Sequence, residues 1–174
     1  MSRINQFFND VFAPFYALDY TFLARYLNES ESEFIGQLRK AELLHVVQVA
    51  KKTLDALPKD LAEAERTAII KAVLLHDVGK YHYAMGPIAK TMMVLFGKGI
   101  RKNPEQIKKH SMVDVYQNHG QYSWEVVRDL ESFPDHPYLY DLIRFHHEPD
   151  RFVQKYGLKE QGIFWIYKKA DDES

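Results

Sequence analysis

Between Asp60 and Lys80 the chain reads DLAEAERTAIIKAVLLHDVGK, and this stretch decides the fold. Asp60, followed three residues later by Glu63, has the form of a capping box, where side-chain oxygens take up the first unpaired backbone N–H groups of a helix. Ile69, Ile70, Val73 and Leu74 then recur at the spacing of one helical face, and Gly79 offers a stop. At the C-terminal end stand His76 and Asp77 side by side, where the chain leaves the helix and can aim an imidazole and a carboxylate at one divalent ion. Alone, such a pair reads more simply as a cation complementing the helix dipole beside an acid.

The same periodicity extends outward. Ser30 or Ser32 is expected to cap a helix that carries Phe34, Leu38, Ala41 and Leu44 on to Leu54 and Leu57, with Pro58 ending it. A helical run over Ile88–Phe96 is closed by Gly97 and Gly99, Asn103–Pro104 opens another helix, and further helical patterns cover 121–132, 136–147 and 159–170. No two alternating β-branched segments are joined by an Asn-Gly or Asp-Gly turn. The fold class expected is therefore all-α. Without repeats, low-complexity tracts or a Gly/Ser-rich hinge, residues 1–174 read as a single domain, with 1–30 a helical extension and 31–174 the core. The extension is rich in aromatics (Phe7, Phe8, Phe12, Phe15, Tyr16, Tyr20, Phe22, Tyr26), which would pack on the bundle or support a homodimer.

Composition narrows the function. The 174 residues carry 23 Lys plus Arg against 24 Asp plus Glu, a net charge of −1, so no global positive excess exists to release counterions from a nucleic acid, and none is expected as a partner. The segment between the His-Asp pair and His119 is locally basic, with Lys90, Lys98, Arg101, Lys102, Lys108 and Lys109 against Glu105. It reads as a solvated helix face plus a loop, as a place for the phosphates of a nucleotide, or as a contact with an anionic membrane surface. Cysteine is absent, which removes disulfide scaffolds, thiolate metal sites and thiol nucleophiles together. The longest apolar run, Met92–Phe96, is far short of a transmembrane segment, and no secretory signal is legible, so a cytoplasmic address is expected.

Eight histidines stand out. His45 lies among apolar neighbours in LHVVQVA, where an unpartnered imidazole would cost about 1–3 kcal/mol and an ion would supply the partner. Downstream come His119-Gly120, then His146-His147-Glu148, then Ala170-Asp171-Asp172. Neighbouring side chains on a helix diverge by about 100°, so His146 and His147 need not reach the same ion. His82, His110 and His136 have no motif partner and read as surface residues.

In this order the motifs resemble those of the HD-domain superfamily of metal-dependent phosphohydrolases, in the HDIG subset. The resemblance spans about Leu44 to Asp172. His45 with Val49-Ala50 is similar to the family's first histidine; His76-Asp77-Val78-Gly79-Lys80 resembles His-Asp-Ile-Gly-Lys with Val for Ile. His119-Gly120 resembles the third histidine position without the proline that often follows it, His146-His147-Glu148 the His-His-Glu, and Ala170-Asp171 the closing Ala-Asp. The resemblance implies an HD-domain helical bundle with a central His/Asp site for two divalent ions, iron or manganese foremost, with magnesium, zinc, cobalt or nickel as other occupants. His45, His76, Asp77 and Asp171 would hold one ion. His119 and His146, with Asp77 bridging, would hold the other, and His147 would serve that ion or the substrate. Register alone leaves Asp171 and Asp172 as alternatives.

The implied reaction is hydrolysis of a phosphate ester or anhydride of a small nucleotide-like molecule by a metal-bound hydroxide, with Asp77 and Lys80 catalytic and Lys80 and His147 touching substrate. Three readings compete. One is a nucleotide-sensing module with a metal site and no turnover. Another is a purely structural metal site in an interaction protein, disfavoured because such sites close on four ligands and this chain offers six or seven candidates. The last is a cyclic-dinucleotide phosphodiesterase, disfavoured because Pro149-Asp150-Arg151-Phe152 follows Glu148 and no Gly-Tyr-Pro is nearby.

Overall fold

The computed structural model describes residues 17–82 and 111–174. Among them it is all-helical, with no strand: α1 (Tyr20–Tyr26), α2 (Glu29–Ile35), α3 (Lys40–Ala56), α4 (Glu63–Leu75), a 3-10 turn (Val78–His82), α5 (Met112–Asp129), α6 (Tyr138–Arg144), α7 (Pro149–Lys155) and α8 (Leu158–Asp172). The helices expected at 88–96 and from Asn103, the basic segment, His110 and residues 1–16 of the aromatic extension lie outside the described residues.

The expected helix from Ser30 or Ser32 to Leu57 is two helices. Asn28, not a serine, caps α2: its side chain accepts from Glu31 N–H, and the Glu31 carboxylate accepts from Asn28 N–H. A second start lies at Arg39, whose N–H donates to the Glu42 carboxylate at 3.1 Å, and Leu38 in the break is buried. Apolar spacing carries on smoothly across this joint, which hides it in the sequence.

α4 also departs from expectation at both ends. Ala62 occupies its N-cap without a side-chain hydrogen bond, so Asp60 does not cap it, and the helix ends at Leu75 rather than Gly79. Gly79 is needed for another reason. A Cβ there would sit 2.4 Å from the Ser123 nitrogen, 2.5 Å from the His119 carbonyl oxygen and 2.7 Å from Tyr122 Cβ. Its bare Cα lets the 3-10 turn lie directly on α5, where Gly79 N–H donates to Ser123 Oγ at 2.8 Å.

α5 starts at Met112 behind the Ser111 cap, nine residues before the expected 121. Val115, His119, Tyr122, Ser123 and Val126 form its buried face, a helical stripe that polar members conceal from a reading based on apolar spacing. The pattern at 136–147 yields only α6, so His146 and His147 fall in the turn after it. α7, opened by Pro149, was not anticipated, and α8 extends the expected 159–170 by one residue before and two after.

α4 is at the centre. Ile69, Ile70 and Ala72–Leu75 are fully buried, between α3, α6 and α1, while α8 packs on α3, α6 on α5, and the 3-10 turn on α5. The chain just past α4 is therefore enclosed by several helices. No described helix is long and apolar enough to cross a membrane.

Candidate metal centre

Five separate segments deliver the cluster: His45 from mid-α3, His76 and Asp77 from the end of α4, His119 from α5, His146 and His147 from the turn after α6, and Asp171 from the last turn of α8. Two groups form, His45/His76/Asp171 and His119/His146/His147, each offering ligand atoms within 4.8 Å of one another. Asp77 lies between them. Its Oδ2 is 3.4 Å from His76 Nε2 and 4.0 Å from His45 Nε2, while its Oδ1 is 3.3 Å from His119 Nε2 and 3.8 Å from His146 Nε2. Asp171 Oδ1 approaches His45 Nε2 at 3.1 Å and His76 Nε2 at 3.7 Å. All the expected ligand positions thus converge, and Asp171 is the residue facing inward; Asp172 turns to Lys168.

The rings are oriented by their own backbones. His76 Nδ1 lies 2.7 Å from the Val73 carbonyl, His146 Nδ1 2.7 Å from that of Ile143, and His119 Nδ1 3.2 Å from those of both Val115 and Tyr116. A neutral imidazole that donates from Nδ1 presents a lone pair at Nε2. Backbone carbonyls in this role are a common outer shell for histidine metal ligands.

This arrangement leaves polar atoms without protons to share. His119 Nε2 lies 3.2 Å from His146 Nε2 and 2.9 Å from His147 Nε2, so lone pairs face one another, and only the His147 ring can bring a proton to the contact. Asp77 Oδ1, fully buried, has no hydrogen-bond partner: although His119 Nε2 is near, that ring's proton is committed to the carbonyls at Nδ1. Imidazole lone pairs converging on an orphaned carboxylate oxygen fit a divalent cation.

Electrostatics agree. Burial, reinforced by the neighbouring His147, His119 and His76 rings, pushes His146 well below the usual imidazole range, and burial lowers His76. His147 is exposed as a residue, yet its Nε2 lies 2.9 Å from His119 Nε2 in the cluster, where desolvation and His119 bring it down to about 3. Burial opposes the charge on Asp77, but the Lys80 ammonium at its side outweighs it and holds the carboxyl well below its usual range. Asp171 is lowered in the same way, burial being outweighed chiefly by His45 and His76. Lys80 is ion-paired with Asp77 Oδ2; burial works against its charge, while Asp77, Glu42 and Asp171 raise its pKa.

Two features escaped the sequence reading. Gly120 permits the turn carrying His146 to close on α5, since a Cβ there would meet the Arg144 carbonyl at 2.8 Å and the His146 ring at 3.2 Å. Tyr167, one turn before Asp171, is fully buried with its ring 5.3 Å from that of His76, and its hydroxyl has no hydrogen-bond partner. His82 and His136 stand apart from the cluster beside Tyr81 and Tyr138, half-buried rather than at the surface. No family model, curated protein or solved structure matches the chain.

Proposed function

We propose that the protein is a metal-dependent phosphohydrolase of the HD-domain type, acting on a phosphate ester or anhydride of a nucleotide-like small molecule. The observation that carries this reading is one buried carboxylate, Asp77, shared between two His-rich groups, with a lysine at its side. Divalent ions held there, iron or manganese by donor type, would polarise phosphoryl oxygens and acidify a bound water. The chain's own groups do the rest. Asp77 spans the two groups and orients the attacking water through its carboxylate. Lys80 offers an ammonium to the non-bridging phosphoryl oxygens. His147, exposed where His146 and His119 are buried, stands where a substrate can touch it, and the burial of Asp77 strengthens the interactions that its carboxylate makes.

The test is metal content by plasma mass spectrometry on protein purified without chelator, followed by hydrolysis assays on nucleoside mono-, di- and triphosphates and cyclic dinucleotides. Asp77→Ala and His76→Ala are expected to lose metal and at least about 100-fold in turnover, because ion-based stabilisation of the transition state is worth several kcal/mol. Tight nucleotide binding without turnover under iron, manganese, cobalt and zinc alike would instead mark a sensing module. Absence of metal even after loading with manganese would defeat the proposal.

A further inference from the structure

We infer that Arg144, flanked by Arg128 and Arg151, forms an anion site for a phosphoryl group, built from residues other than those of the metal centre. The site needs no ion and stands whether or not the centre hydrolyses a substrate.

Three guanidiniums gather around two rings. Arg128 and Arg144 lie over Trp124, 4.5 and 4.6 Å from its centroid, and Arg144 and Arg151 lie over Phe145, at 5.3 and 4.5 Å. Each charge is thus within about 10 Å of the next, no more than a Debye length at 0.1 M salt, so their repulsion is only partly screened. The outer two are compensated locally: Arg128 pairs with Asp129 at 2.8 Å and Arg151 with Glu148 at 3.1 Å. Arg144, between them, is not. Among the described residues it forms no ion pair, and its hydrogen bond runs from Nε to the neutral amide oxygen of Gln121, at 2.8 Å. Gln121 donates in turn to Glu125 at 3.1 Å, so an amide stands between that carboxylate and Arg144. Of the five N–H donors of a guanidinium, those on the two Nη atoms are left without an acceptor among the described residues. The two rings and Gln121 hold the plane in place, and the free fork matches a pair of phosphoryl oxygens. A phosphoryl group fits better than a carboxylate. It brings a charge of about −1.5 to −2 at pH 7 and a third oxygen, and the exposed side chains of Arg128 and Arg151 are within reach of that excess. Arg144 is the last residue of α6 and its carbonyl backs onto Gly120, which sets the site beside the turn that bears His146 and His147.

The experiment is isothermal titration calorimetry of the full-length protein, stripped of metal and desalted, with inorganic phosphate and with adenosine 5′-monophosphate at constant ionic strength. Phosphate should bind at one site with a dissociation constant of about 1 mM or tighter, and more weakly as sodium chloride is raised. Arg144→Gln should weaken binding at least about tenfold, and Arg144→Lys, which keeps the charge but loses the fork, by an intermediate factor. Arg128→Gln and Arg151→Gln should each weaken it by about two- to fivefold, the range of exposed charge pairs. In a Trp165→Phe background Trp124 is the remaining tryptophan, and its fluorescence should change in step with the heat. Circular dichroism confirms that each variant is folded. Both ligand sources support the site: tighter binding of the monophosphate assigns it to a phosphorylated organic molecule, and equal or weaker binding to free phosphate. No saturable heat at ten times the stated concentration, undiminished binding in Arg144→Gln, or loss of binding in Lys80→Met, which would put the anion in the metal centre, would each overturn the inference.

Discussion

Tyr167 poses the clearest question at the scale of a single residue. Its hydroxyl is buried beside His76 without a partner, and an unsatisfied buried hydroxyl costs about 1–3 kcal/mol. Tyr167→Phe is therefore expected to leave stability unchanged or raise it by up to about 1 kcal/mol in urea denaturation of the chelated protein. A loss beyond that range would show that the phenol is bonded in solution, through a water or a cluster carboxylate. The histidines and aspartates themselves were legible in the sequence because ligand chemistry admits few residue types and the motifs keep their order. Asp171 could not be told from Asp172 by register alone. What separates them is that α8 turns Asp171 towards His45 and leaves Asp172 with Lys168.

Among the elements, glycine contacts decide how close the site-bearing segments come. Gly79→Ala would drive a methyl group into the α5 backbone at 2.4 Å. The expected cost is about 1–3 kcal/mol or more, with weaker metal retention because His119 moves away from Asp77. Gly120→Ala, with contacts at 2.8 and 3.2 Å, should follow the same direction more mildly. Gly162 is the control: a Cβ there meets nothing within 4 Å, so in mid-α8 its replacement by Ala should stabilise by roughly 0.5–1 kcal/mol. Thermal melts and metal content of the three variants together test the whole series. Element type was readable throughout, but element ends were not. The break between α2 and α3 rests on the C-cap at Gly36 and the N-cap at Arg39 inside an unbroken apolar rhythm, and α5 hides its first nine residues because Asp114, His119 and Gly120 take buried positions that periodicity assigns to hydrophobes.

For the whole molecule, the buried imidazoles set how the metal-free fold responds to acid. His76 and His146 are lowered in the native state chiefly by burial, whereas the unfolded chain titrates near 6.5. Below that pH the unfolded state takes up protons that the native state refuses, so stability falls, by up to about 1.4 kcal/mol per pH unit for each group. Asp77 and Asp171, depressed when folded, contribute stability that is present above about pH 3.8 and is lost below it, adding to the acid loss. Lys80, raised when folded, contributes stability that is lost only above about 10.5. The melting temperature of chelated protein should thus be level near neutrality and drop steadily below pH 6.5. A flat profile from pH 7 to 5 would mean that the rings are not buried as described. Manganese at 100 times its dissociation constant should raise stability by about 2.7 kcal/mol, since the ligands come together only in the folded chain.

The carbonyl-anchored rings also bear on the speed of metal uptake. With His76, His119 and His146 each held by a carbonyl of its own segment, these three rings need not search for their rotamers as an ion arrives. Entry should keep pace with the shedding of water by the aqua ion, fast for manganese and slow for nickel.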